Sequence, residues 1–280
     1  MAQKICVCGA GTMGSGIAQC MAQHGFDTIL FDSNQSVIEN AKSFIEKSLL
    51  SLLEKKRISI EDKNSISSRL HFSRDINECR ADIIVEAIVE IESAKTDLLS
   101  QLASINPNKT ILATNTSSLS VTTIAKKIIH PGRVIGMHFF NPATVMKLVE
   151  VVVTDYTNDN TRQAIISLAR DLGKTPVLCK DAPGFIVNHV ARPYYIEALH
   201  LIEQGIGDFE TIDTLMESAG FKMGPFRLMD LIGNDVNFAV SHSVYEAMNK
   251  PARLKPSRIQ EKKVADKEFG KKTGKGYYEY

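Results

Sequence analysis

Near its start the chain passes from a short apolar run, Ile5-Cys6-Val7-Cys8, into Gly9-Ala10-Gly11-Thr12-Met13-Gly14 and then into a helix pattern, Met13 to Gln23. A strand that enters G-x-G-x-x-G and leaves it as a helix restricts the fold more than any other feature here. It is the first half of a βαβ unit whose turn cradles a pyrophosphate. Gly9 permits the tight turn, Gly11 lets a phosphate approach the backbone, and Gly14 lets the helix pack closely on the strand. The first helical residues, Thr12 and Met13, bring N–H groups and a partial positive charge to the same anion site. Asp32 ends the second strand, Thr28 to Phe31, where a carboxylate accepts hydrogen bonds from a ribose diol and repels a 2′-phosphate. No arginine stands beside it in sequence, so NAD is the expected cofactor. The bland alternative is a ligand-free Gly-rich turn followed by an Asp32 that merely caps the helix beginning near Gln35. The agreement of strand, glycines, helix and acid in order and spacing weighs against it.

The same alternation continues beyond the turn. A long helix from about Gln35 to Lys56 is followed by apolar strands at Asp82 to Val85, Thr110 to Ala113, Val134 to His138, Leu148 to Val153 and Thr175 to Cys179. Strands separated by helices predict an α/β fold with a Rossmann-type, doubly wound and mostly parallel sheet. After Asp181-Ala182-Pro183-Gly184 the β-branched runs stop and helix patterns take over, at Phe185 to Gln204, Asp208 to Ser218 and Leu228 to Met248. The predicted domains are therefore 1–183, which binds the dinucleotide, and 184–280, smaller and all-helical.

With 280 residues, 44% of them hydrophobic, the chain can bury such a core. Its 33 basic and 32 acidic residues leave a net charge of +1, so no global field attracts nucleic acid or an anionic membrane. No apolar stretch approaches a membrane span, and Met1 to Gln3 lead into a strand without the features of a signal peptide, which predicts a cytoplasmic protein. The five cysteines, Cys6, Cys8, Cys20, Cys79 and Cys179, are odd in number and scattered. They read as reduced thiols and small buried hydrophobes, with no metal site expected.

Polar groups gather where successive strands end: Asn115-Thr116-Ser117-Ser118, then His138-Phe139-Phe140-Asn141-Pro142, then Glu150. Open α/β sheets bind ligands at such carboxyl ends. His138 and Glu150 lie on consecutive strands joined by a loop long enough to reverse the chain, so a contact between them is feasible. Oxidising an alcohol with NAD requires a base for the hydroxyl proton, and an imidazole oriented by a carboxylate suits that task. The bland readings are a structural histidine, and a Glu150 paired with Lys147 at the surface.

The runs Val85-Glu86-Ala87-Ile88-Val89-Glu90, Asn115 to Leu119, His138 to Pro142, Met146 to Val151 and Pro183 to Asn188 resemble the 3-hydroxyacyl-CoA dehydrogenase family. So do Met223-Gly224-Pro225-Phe226 and Phe269 to Tyr278, and the likeness covers essentially the whole chain, at the length of the single-function bacterial 3-hydroxybutyryl-CoA dehydrogenases. The resemblance implies that His138 is the general base, Glu150 its orienting partner, and Ser117 and Asn188 the residues that position the substrate oxygens. It assigns Glu90, Lys95, Asn115 and Asn141 to the nicotinamide half of the cofactor, although Lys95 alone would read as a solvated helix charge and Ser117 alone as a helix N-cap. It also implies an active site in the cleft between the domains, an acyl-CoA substrate and a homodimer. The basic cluster Lys55-Lys56-Arg57 is a candidate for the CoA phosphates, or equally a solvated helix end. One departure is His189, where the family usually has arginine.

One alternative within the same class stays open, and two of other classes fit these residues less well. A dicarboxylic substrate such as 3-hydroxyadipyl-CoA is suggested by Arg192 in Val190-Ala191-Arg192-Pro193-Tyr194-Tyr195, which resembles the subgroup linked to aromatic-acid breakdown. A hydrolytic triad of Ser117, His138 and Glu150 lacks the G-x-S-x-G elbow and has no use for the dinucleotide turn. A catalytically idle NAD-binding protein would have no need of Ser117, His138, Glu150 and Asn188 together.

Overall fold

The computed structural model describes residues 3–280. The reading of Met1 to Gln3 as leading directly into a strand falls partly outside them. Eight strands form one sheet: β1 (Lys4–Cys8), β2 (Asp27–Phe31), β3 (Leu70–Ser73), β4 (Ile83–Glu86), β5 (Ile111–Thr114), β6 (Val134–Phe139), β7 (Leu148–Val153) and β8 (Thr175–Lys180). Their order across the sheet is β3-β2-β1-β4-β5-β6-β7-β8. Every neighbouring pair is parallel except β6 and β7, which the loop after Phe139 joins in antiparallel register. The reversal of order on either side of β1 is the topological switch point at which such sheets hold ligands.

Helices cover both faces. On one side α1 (Thr12–Gln23), α2 (Gln35–Glu54) and α6 (Asp159–Asp171) place Ile17, Met21, Leu49, Ile165 and Leu168 against Ile5, Val7, Leu30, Val85 and Val151. On the other, α4 (Glu92–Ile105) and α5 (Val121–Lys126) place Leu99, Leu102 and Ile124 against Cys6, Cys8, Ile29, Ile84 and Leu112. Both faces of β1 are thus buried, and for that reason the strand reads as a continuous apolar run instead of an alternating one.

The sequence reading gives no range to α4, α5, α6 or the C-terminal helix Arg258–Ala265, and none to β3 or the helix before it, α3 (Ile60–Ser68). As the edge strand, Leu-His-Phe-Ser is only partly covered, so its apolar signal is weak. A capping box, with Ser59 Oγ accepting from Asp62 N and Asp62 Oδ2 accepting from Ser59 N, starts α3, whose single buried residue is Ile66.

A second unit begins at Ala182 and is all-helical, with α7 (Val187–Glu203), α8 (Phe209–Ser218), α9 (Pro225–Ile232), α10 (Asn234–Ala247) and α11 (Arg258–Ala265). The expected helix Leu228 to Met248 is two helices, divided at Gly233, whose φ of 104° breaks the ladder. The stretch Phe185 to Gln204 begins as a turn, because Gly184 and Phe185 both have positive φ.

Two buried carboxylates organise this unit. Asp213 accepts from the Phe226 and Arg227 amides, satisfying the first turn of α9, and from the Tyr278 hydroxyl. Asp230 accepts from the Tyr277 and Tyr278 amides, Asn234 Nδ2 and the Tyr280 hydroxyl. A Cβ on Gly224 would lie 2.3 Å from Asp213 Oδ1, and one on Gly276 2.0 Å from Asp230 Oδ1. The segments Met223 to Phe226 and Phe269 to Tyr278 are therefore wraps around buried charge, and only glycine fits at those contacts.

Candidate active site

The antiparallel register of β6 and β7 sets His138 directly opposite Glu150. His138 Nδ1 and Glu150 Oε2 are 2.8 Å apart, and both side chains are buried. Glu150 therefore engages His138 and not Lys147, which is exposed. An ionised carboxylate only accepts, so Nδ1 carries the proton in this contact and the tautomer is set. The Phe140 ring lies 4.6 Å from the imidazole, centroid to centroid, and limits its rotation. Beyond β6 the loop is pinned by Lys174, whose Nζ donates to the carbonyls of Ala143 and Met146.

Beside this pair a buried network fixes the loop after β5. Lys95 is only 1% exposed; its Nζ lies 2.6 Å from Glu86 Oε1 and 3.2 Å from Glu90 Oε2. The bland alternative for Lys95, a solvated helix charge, does not hold, because the side chain is buried. On α4 it shares a stripe with Leu99 and Leu102 that faces the sheet, a spacing visible in the sequence. Glu86 also accepts from Thr114 Oγ1 and the Ile88 amide. Glu90 Oε1 accepts from Thr116 Oγ1, the Ser117 and Ser118 amides, and both serine hydroxyls. Burial pushes the Glu90 carboxyl up, but the Lys95 ammonium, Thr116 hydroxyl and Ser117 amide outweigh it and hold it below its ordinary value. Ser117 is part of this cradle, and the N-cap of α5 is Ser120 instead, which accepts from Thr123 N. Asn115 Oδ1 accepts from the Phe139 amide, tying the end of β5 to β6 one residue from His138. Asn141 is exposed in the following loop.

Sequence reasoning missed Glu86, Thr114, Thr116 and Lys174. Glu86 could have been found, because an acid ending an otherwise apolar central strand demands a buried partner.

The glycine turn fits a dinucleotide. A Cβ on Gly14 would sit 1.7 Å from the Gly9 carbonyl oxygen, so only glycine allows α1 to start so close to β1. A Cβ on Gly11 would meet nothing within 4 Å, which leaves open space above the turn for a ligand phosphate. Gly11 caps α1 with no side-chain bond, so the first amides of Thr12 and Met13 point into that space. Next to the turn lies a cavity of about 440 Å³, walled by Phe31, Ile76, Ile88 and Leu98 with Asp32 at its rim. Apolar walls beside a carboxylate suit an adenine and its ribose. Asp32 is held by the Ala10 and Asn34 amides, each 3.0 Å from it, while Asn34 caps α2. The fold also brings Arg74 to this cavity from the end of β3, where the sequence showed no arginine beside Asp32. Its Nη1 donates to Gln35 Oε1.

In the helical unit Asn188 stands half-buried in the first turn of α7. Arg192 is buried and donates to the Asn188 and Asn237 carbonyls and to Ser241 Oγ, pinning α7 to α10. Burial lowers its guanidinium to about 10. His189 Nδ1 lies 3.1 Å from the Pro183 carbonyl. Lys55 and Lys56 are exposed just past the end of α2.

Comparison with known proteins decides the family. Residues 4–182 match the model of the 3-hydroxyacyl-CoA dehydrogenase NAD binding domain, and residues 184–280 that of the 3-hydroxyacyl-CoA dehydrogenase C-terminal domain. The chain belongs to the 3-hydroxyacyl-CoA dehydrogenase family. It is 44% identical over 280 residues to the 3-hydroxyadipyl-CoA dehydrogenase of Escherichia coli K12; that match covers 99% of this chain and 59% of the relative's length. It is 39% identical over 279 residues to the probable 3-hydroxybutyryl-CoA dehydrogenase of Deinococcus radiodurans, covering 99% of this chain and 100% of that one. The crystal structure of (S)-3-hydroxybutyryl-CoA dehydrogenase from Ralstonia eutropha superposes with a TM-score of 0.94 at 34% identity, covering 100% of this chain and 99% of that one. Membership makes this dehydrogenase an NAD-dependent oxidoreductase, in keeping with the turn and with Asp32. Among the described residues no helix is long and apolar enough to cross a membrane.

Proposed function

We propose that the protein interconverts an (S)-3-hydroxyacyl-CoA and its 3-oxoacyl-CoA reversibly, with short acyl chains such as 3-hydroxybutyryl favoured. The buried 2.8 Å contact between His138 and Glu150 carries this reading. With Nδ1 committed to Glu150, proton exchange falls to Nε2, which takes the substrate hydroxyl proton. The Glu150 charge stabilises the imidazolium that results. Bound NAD supplies the hydride-accepting chemistry. Ser117 and Asn188 orient the hydroxyl and thioester oxygens, and Asn115, Asn141, Glu90 and Lys95 serve the nicotinamide half. For Lys95 that service is indirect: its charge is matched by Glu86 and Glu90, so it acts by holding Glu90, which in turn fixes the backbone of residues 116–118. The exposed Lys55 and Lys56 contribute to the CoA phosphates. The helical unit carries the dimer contact, which sedimentation finding only monomer would disprove. Five thiols without a disulfide suit a cytoplasmic setting.

Acetoacetyl-CoA added to the protein and NADH consumes NADH absorbance, and no consumption across a range of pH refutes the short-chain reading. His138→Gln lowers kcat about 10²- to 10⁴-fold, the usual weight of a general base, with NADH affinity retained. Undiminished turnover removes His138 from the role. The dicarboxylic alternative rests on the name of the E. coli relative and on Arg192. The ratio of kcat/KM for the 3-oxoadipyl and acetoacetyl thioesters, measured in the native chain and in Arg192→Ala, decides it. An unchanged ratio excludes Arg192 as a carboxylate receptor.

A further inference from the structure

Cys6 and Cys8 lie on one face of β1 with their Sγ atoms 3.7 Å apart. The fold brings a third thiol to them from distant sequence: Cys79 follows the one-turn 3-10 helix Ile76–Glu78, and its Sγ joins the other two within a mutual span of 4.8 Å. All three are buried. The sequence reading of scattered thiols missed this convergence, because only the pairing of β1 with β4 sets Cys79 beside the strand.

We propose that Cys6, Cys8 and Cys79 form a binding site for one soft, thiophilic cation, outside the dehydrogenase site and independent of its chemistry. Thiolates bound to a d10 ion at about 2.3 Å lie about 4 Å apart in a trigonal plane and about 3.8 Å apart in a tetrahedron; the 3.7 Å between Cys6 and Cys8 is close to the second value, and Cys79 lies within 4.8 Å of both. Among the described residues no histidine or carboxylate joins the cluster. Structural zinc takes four ligands, so a closed set of three sulfurs favours softer ions, of which monovalent copper is the physiological representative. Entry runs past Cys79, whose neighbours Glu78 and Arg80 are exposed. A bound cation would cross-link β1 to the 3-10 turn. Cys8 directly precedes Gly9, and Ile76, whose carbonyl accepts from the Cys79 amide, walls the cavity beside the glycine turn.

The test is an anaerobic titration of the fully reduced chain with cadmium(II), reading the ultraviolet thiolate-to-cadmium charge-transfer band and, on the loaded protein, the number of sulfur neighbours by X-ray absorption. The expected result is a band that saturates at one cadmium per chain, with three sulfur neighbours. The double variant Cys20→Ala/Cys179→Ala keeps that equivalent, and Cys79→Ala loses it. The site is overturned by the absence of a band, by fewer than three sulfur neighbours, or by a band unchanged in Cys79→Ala. If Cys79→Ala fails to fold, the sulfur count in the native chain still decides.

Discussion

Gly14 and Gly11, three residues apart in the same turn, separate folding from binding, and a single methyl at each tests the division. In Gly14→Ala the new Cβ lies 1.7 Å from the Gly9 carbonyl oxygen and 2.9 Å from its carbon, where ordinary contact begins at 3.4 Å. Both sides of that collision are backbone, so relief requires α1 to move away from β1. Ile17, Ala18, Met21 and Ala22 on α1 have no exposed surface, and such a shift opens their packing. Overpacking of this kind costs about 1–3 kcal/mol and sometimes more. At about 2–4 °C per kcal/mol for a domain of this size, the melting temperature falls by about 6–12 °C if the cost is near the upper figure. Gly11→Ala is the opposite case. Gly11 has φ −68° and ψ −170°, which alanine adopts without strain, and its Cβ meets nothing within 4 Å. Stability stays within about 0.5 kcal/mol of the native chain. The methyl occupies the approach to the Thr12 and Met13 amides, and NADH affinity falls at least tenfold, about 1.4 kcal/mol. Thermal unfolding and a fluorescence titration with NADH separate the two effects. A Gly14→Ala protein that melts with the native chain, or a Gly11→Ala protein with native NADH affinity, refutes the steric account of the turn.

Lys95→Met leaves Glu86 buried without its cation and costs about 3–5 kcal/mol. Double replacement with Glu86→Gln recovers part of the loss, and a chemical-denaturation cycle showing strict additivity would contradict the pairing. In the helical unit Lys263 and Lys275 hold the Glu268 carboxyl down at about 2, against an ordinary value of 4.5. A depressed carboxylate stabilises the fold above its unfolded pKa and loses that contribution as pH falls through the folded one. The stability difference between the native chain and Glu268→Gln is therefore present at neutral pH, shrinks from about pH 4.5 downward and vanishes near pH 2; a difference constant across that range counts against the two ion pairs.

Much of the site was legible without coordinates because it lies on elements with strong local signals. The Gly9 to Gly14 turn is read from spacing, since each glycine answers a separate steric demand. Two apolar strands joined by a reversing loop, each ending or interrupted by a polar residue, made a contact between His138 and Glu150 feasible, and the register of the two strands decided it. For Lys95 charge and periodicity pull apart: its charge alone suggests a solvated position, but its place on the Leu99 and Leu102 stripe faces inward whatever its charge. Gly233 was passed over because one glycine inside a helical pattern is tolerated as often as it breaks one.

By itself the sequence determined the alternation of strands and helices, the dinucleotide turn and the residue types needed for alcohol oxidation, because these follow from periodicity and from chemistry local to a few residues. The tertiary structure decided which distant groups meet. It set His138 against Glu150 by register, closed Glu90 over residues 116–118, wrapped the C-terminal segment around Asp213 and Asp230, and gathered Cys6, Cys8 and Cys79. Each of these contacts depends on where the sheet order and the loops place a side chain in space, and strand pattern alone carries no information about that.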